Sequence, residues 1–102
     1  MEFYTNGIRV WAKDRGLDKA NPINQLAKLL EEIGELASGV NKNDRPKIID
    51  SIGDAYVVLT ILAMQLDLDI ETCVAYAYNE IKNRKGKLVN GIFVKEEDLK
   101  GE

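Results

Sequence analysis

The sequence predicts an all-α fold: a four-helix bundle-like protomer with a short C-terminal hairpin or arm, assembling into a helical homo-oligomer. Three observations carry this. Apolar residues recur at intervals of three and four from Leu26 to Ile81, the signature of amphipathic helices. Asn, Asp, Pro and Gly punctuate that pattern at cap and turn positions. The stretch "AYVVLTILAM" (Ala55–Met64) is apolar nearly all round, so it must be covered on every side. A chain of 102 residues has few helices to spare for that, so a second copy is expected to supply cover, as a homodimer or homotetramer.

The elements follow in order. Asn6 to Arg15 is expected to be a short helix with Trp11 on its inner face and Gly16 as its stop. Asn21 before Pro22 reads as an N-cap with proline in the first turn. It opens a second helix with Leu26, Leu29, Leu30, Ile33, Ala37 and Val40 inward, ending near Gly39. "NKNDRPK" (Asn41–Lys47) is a polar turn in which Asn43 or Asp44 caps a third helix from about Pro46 to Leu66. Asp69 is expected to cap a fourth, with Ile70, Cys73, Val74, Ala77 and Ile81 inward and its close at Gly86. "KLVNGIFV" (Lys87–Val94) places Asn-Gly between two β-prone runs, a strong signal for a hairpin. Residues 1–95 are thus read as a single domain and 96–102 as a flexible tail.

Composition narrows the function. A formal net charge of -3 disfavours binding of polymeric nucleic acid through a broad positive surface. The apolar run is about half of what a membrane span needs, so no membrane is expected as a partner. A lone Cys73, with no signal-peptide pattern ahead of it, predicts a cytoplasmic protein. The absence of histidine removes imidazole triads and histidine-rich zinc sites. What remains is carboxylate chemistry, which suits hard ions such as Mg2+, with Mn2+ as a substitute.

The carboxylates are patterned. Glu31-x-Ile33-Gly34-Glu35 is echoed by Asp50-x-Ile52-Gly53-Asp54. On helices, Glu31 with Glu35, Glu32 with Glu35, and Asp50 with Asp54 are same-face pairs that repel. Two helices packed antiparallel across the short turn can bring these pairs to one pocket, where a divalent cation would resolve the repulsion. A solvated helix face paired with Lys28 or Lys42 is the plainer alternative for any single Glu. Gly34 and Gly53 each cost about 1 kcal/mol against alanine in a helix interior, which fits the close approach of a helix or ligand, or packing alone.

These residues resemble the all-α nucleoside triphosphate pyrophosphohydrolases, or MazG-like proteins, and among them a phage-type branch. The family pattern is E-E-x-x-E on one helix and E-x-x-D on the next. "EEIGE" (Glu31–Glu35) is similar throughout, whereas the second half matches at Asp54 with Ser51 at the usual Glu position and Asp50 one step earlier. The resemblance extends from the Trp11 region through "YNEIKNRKGK" (Tyr78–Lys87). It implies Mg2+-dependent cleavage of a nucleoside triphosphate to monophosphate and pyrophosphate in a helical oligomer. The implied metal ligands are Glu32, Glu35, Asp50 and Asp54, with Glu31, Glu32, Glu35 and Asp54 as catalytic residues, one unliganded Glu orienting water.

Asn79, Lys82, Arg84 and Lys85 at the end of the fourth helix, and Lys28 one turn before Glu32, are candidate substrate-binding residues. Lys and Arg there equally complement the helix dipole. Trp11, Tyr56, Tyr76 and Tyr78 offer faces for a nucleobase, although core packing is the commoner use of such residues. Cys73 reads as a small core residue. Two other readings stay open: a catalytically weak relative that binds nucleotides or divalent ions without turnover, and a helical dimer acting as an interaction module.

Overall fold

The computed structural model describes residues 1–99, in the order α1 (Glu2–Asp14), a 3-10 turn (Leu17–Lys19), α2 (Pro22–Lys42), α3 (Arg45–Gln65), α4 (Ile70–Ile81), β1 (Gly86–Val89), β2 (Ile92–Lys95) and α5 (Glu96–Leu99). The all-α class is borne out. Two compact units divide the chain, Met1–Ile70 and Glu71–Glu102.

In the first unit α3 packs against both α2 and α1, and the 3-10 turn fills in beside α1 and α3. The helix ends follow their chemistry. Asn21 accepts a hydrogen bond from the Ile23 amide and Pro22 occupies the first turn. Asp44 is the cap of α3, accepting from the Lys47 amide, while Asn43 takes the left-handed conformation that ends α2. Gly16 likewise adopts a positive φ after α1. The second helix runs one turn beyond the expected Gly39, to Lys42. The first begins at Glu2, earlier than Asn6, with Glu2 in the turn where a negative charge meets the positive end of the helix dipole.

At Gly39, α2 lies close against α3. A Cβ there would sit 3.3 Å from the side chains of Ile48 and Lys47. Gly34 and Gly53, by contrast, face open space within the chain, so intrachain close approach does not explain them. Gly39→Val should therefore lower stability by roughly 1–3 kcal/mol through overpacking. Gly34→Ala should raise it by roughly 0.5–1 kcal/mol. Urea denaturation of the two variants checks the contrast, which would be lost if both moved the midpoint the same way.

The inward faces differ from the expected ones. Trp11 is 46% exposed, and Thr5 and Ala12 are the residues α1 buries. Thr5 Oγ1 lies 2.7 Å from the Tyr56 hydroxyl, and Thr60 donates back to the Tyr56 carbonyl, so Tyr56 belongs to the α1–α3 junction. On α2 the buried residues are Glu32 and Gly39, with Leu29 and Leu36 half-buried, while Leu26, Leu30, Ile33, Ala37 and Val40 are exposed. Periodicity identified an apolar stripe correctly, but in the single chain that stripe points away from α3.

Among the described residues α3 is the one helix long and apolar enough to cross a membrane. Here it is the central helix of its unit, burying Ser51, Val58, Thr60, Ile61 and Ala63, and it carries Asp50 and Asp54.

In the second unit α4 stops at Ile81, short of the expected Gly86, which instead opens β1 against Phe93 and Val94. Ile70, the last residue of the first unit, is buried, but Cys73, Val74, Ala77 and Ile81 are exposed, against the expected inward set. The hairpin is as expected. Val89 pairs with Ile92, and Asn90 and Gly91 both take positive φ, the backbone that a two-residue turn needs to match strand twist. Glu96–Leu99 forms a helical turn packed on the hairpin where a loose tail was expected, and residues 100–102 lie outside the described residues.

Candidate functional site

The short α2–α3 connection fixes the register of the two helices. Gly39 lies against Ile48, so equal steps back along α2 and forward along α3 bring Glu32 level with Asp54 and Ala55. Ile48, Ser51, Ala55 and Val58 share one stripe of α3 by helical spacing. That stripe meets α2, as the hydrogen bond from Gln25 to the Val58 carbonyl also shows. Asp54 stands at its edge.

Of the three glutamates, Glu32 alone is buried, at 8% exposure. A carboxylate that far from water needs a cation or donors. Lys28, one turn earlier, places Nζ 3.4 Å from Glu32 Oε1 and 3.8 Å from Glu31 Oε1. Glu31 and Glu35 are exposed, and Glu35 pairs with Lys47 at 3.2 Å across the hairpin. Of Lys28 and Lys42, offered as partners in the plainer alternative, Lys28 pairs with Glu31 and Glu32, whereas the partner of Glu35 is Lys47, which sequence reasoning missed. The signal for it was present, since an antiparallel register about Asn43 and Asp44 brings the first turn of α3 back alongside the last turns of α2.

Asp54 is half-buried and Asp50 exposed. Burial holds the Asp54 carboxyl above its ordinary range. The charges of Asp50 and Glu32 and a hydrogen bond shared with Asp50 push the same way, and Lys28 opposes them. Lys28 is itself raised, first by Glu31 and then by its hydrogen bond to Glu32 and that residue's charge. Glu32, Asp50, Asp54 and Lys28 thus form one electrostatic group. Among the described residues no three carboxylates stand close enough to enclose a metal ion as they are. The donor type still suits Mg2+: carboxylate oxygens, one of them buried, with Asp50 and Asp54 close enough to raise the Asp54 carboxyl.

Asp54 also borders two adjoining concavities along α1 and α3, of about 960 and 620 Å³. Tyr4, Ile8, Asp54 and Val57 line both, while Trp11 borders the larger and Asp50 the smaller. Their walls are mainly apolar, with a carboxylate at the junction. One face of Trp11 is taken by the Arg15 guanidinium, 4.4 Å from the ring centre. Ser51, at the position where the family pattern has Glu, is buried at 3% exposure.

Asn79, Lys82, Arg84 and Lys85 belong to the second unit, where all four are exposed. There Arg84 lies 4.0 Å from Glu80, and with Lys85, Lys95, Glu96 and Glu97 they border a polar concavity of about 440 Å³. Tyr76 and Tyr78 are exposed on α4 of the same unit, as is Cys73.

Comparison with known proteins bears on this arrangement. The chain is 52% identical over 63 residues to an uncharacterized 18.2 kDa protein from the rep-hol intergenic region of Haemophilus phage HP1. The match covers 61% of this chain and 39% of that relative. No solved structure matches. The profile of the MazG nucleotide pyrophosphohydrolase domain matches residues 21–89, which contain α2, α3, α4 and both acidic segments. This chain therefore belongs to the MazG nucleotide pyrophosphohydrolase family.

Proposed function

We propose that the chain hydrolyses nucleoside triphosphates to the monophosphate and pyrophosphate with Mg2+, working as a homo-oligomer. The observation that carries this reading is the position of Asp54, which joins the acidic group of α2 and α3 to the apolar concavities of α1 and α3. A nucleoside triphosphate has the matching asymmetry, with a flat apolar base at one end and oxygen-rich phosphates at the other.

Glu32, Asp50 and Asp54 are the residues to hold the ion, with Glu35 joining them when it leaves Lys47. When bound, the ion would neutralise charge on the phosphate oxygens and draw electron density from the bond that breaks. The chain's own residues do the rest. In this reading Asp54 and Glu32 would form the negative wall against which the ion is drawn, Trp11 and Tyr4 would offer aromatic edges to the base, and exposed Glu31 would orient water.

The decisive experiment is a panel of ordinary and modified nucleoside triphosphates assayed for pyrophosphate release with Mg2+ or Mn2+. Release that needs the metal is expected for at least one of them. Metal-dependent nucleotide binding without any release would instead favour the second reading, a weakly active relative. That reading draws on Ser51, which leaves the inward position of the E-x-x-D pattern without a carboxylate.

The oligomer is part of the same proposal. Leu26, Leu30, Ile33, Ala37 and Val40 alternate at spacings of four and three along the outward side of α2, the seam that a helix from another copy packs into. A self-complementary pairing of α2 with its equivalent in a second chain buries this stripe with a single two-fold axis.

A further inference from the structure

We propose that Lys28 is a built-in counter-ion of the site: its ammonium occupies the charge position beside Glu32 and must be displaced before a divalent cation can bind. This rests on the metal-dependent reading above and adds a control on it. Glu32 is the one buried acid of α2, and Lys28 Nζ at 3.4 Å is the cation paired with it. The two are on the same helix at i and i+4, so the pair forms locally whether or not a metal is present.

The pairing is also reversible by design of the side chain. Lys28 is half-exposed, at 50% for its side chain against 11% for Glu32, so the ammonium can swing to water on its flexible stem while the carboxylate stays in place. A dication arriving between Glu32 and Asp54 meets this positive charge as a competitor. Once displaced, the same lysine stands beside a site whose substrate is polyanionic, so the charge expelled from the carboxylate becomes available to a phosphate oxygen.

The test is Mn2+ binding to the full chain by titration calorimetry, without nucleotide, for wild type, Lys28→Met, Lys28→Gln and Lys28→Arg. Removing a like charge next to the ion should tighten Mn2+ binding by roughly three- to tenfold in the Met and Gln variants. The Arg variant, which keeps the charge, should stay near wild type. Mn2+ should also raise the melting temperature of Lys28→Met more than that of wild type, which confirms folding in the same measurement. Wild-type binding with unchanged or weaker binding in both neutral variants overturns this inference and leaves the metal site standing. Silence from all four proteins overturns the metal site, and this inference with it.

Discussion

Asp54→Asn should reduce pyrophosphate release by at least about 100-fold, the scale of losing one group that stabilises charge in a transition state, while making the metal-free protein more stable at neutral pH. The two effects have one cause. The Asp54 carboxyl is raised by burial, by Asp50 and Glu32, and by its hydrogen bond to Asp50. A raised carboxyl binds its proton more tightly in the folded chain than in the unfolded one. Between its ordinary value and its raised value the folded state therefore holds more protons, and stability falls as pH climbs through that window. Above the window the full penalty of an ionised Asp54 is present. Asparagine carries no such penalty, so the variant's stability should be flatter with pH across the same range. Urea midpoints at several acid and neutral pH values, set beside turnover with Mg2+, check both halves. Equal pH slopes, or turnover within a few-fold of wild type, would remove Asp54 from the site. Glu35→Gln should behave differently, because Glu35 has a cation partner in Lys47 and its loss relieves no repulsion.

The double variant Leu30→Asp/Ile33→Asp should convert the proposed homo-oligomer to monomers without unfolding α2. Leu30 is 67% exposed and Ile33 lies on the same outward stripe. A contiguous apolar stripe of this length is unusual on a monomer and common where two chains meet. Two carboxylates facing their symmetry mates would each be desolvated without a partner and would repel across the axis, at several kcal/mol in total. Sedimentation velocity should show the change in mass, and circular dichroism should show retained helix. A wild-type protein that sediments as a monomer at micromolar concentration would defeat the oligomer outright.

Much of this architecture is legible in the linear sequence because the signals are local. Asn21-Pro22 and Asp44 mark helix starts through side chains that bond amides two or three residues on. Asn90-Gly91 specifies its turn because few residues tolerate two successive positive φ values. Burial is less legible because it depends on which surface meets which. The outward stripe of α2 is its more apolar side, while the side facing α3 carries Gln25, Leu29, Glu32, Leu36 and Gly39 and does not read as a core face. The same mixture explains the site. Spacing identified the acids Glu31, Glu32, Glu35, Asp50 and Asp54, but only the register set at Gly39 distinguishes buried Glu32 from exposed Glu31 and gives Glu35 to Lys47.

The two-residue link between α2 and α3, Asn43 and Asp44, carries a kinetic consequence. Because Glu32 and Asp54 lie on adjacent arms of one helical hairpin, their meeting closes only a short loop, and such local closures are among the fastest events of chain collapse. The acidic walls are therefore expected to form early, while α1 is still searching for its place. A chain emerging stepwise during synthesis would have both walls before any second copy arrives to dock against the outer side of α2.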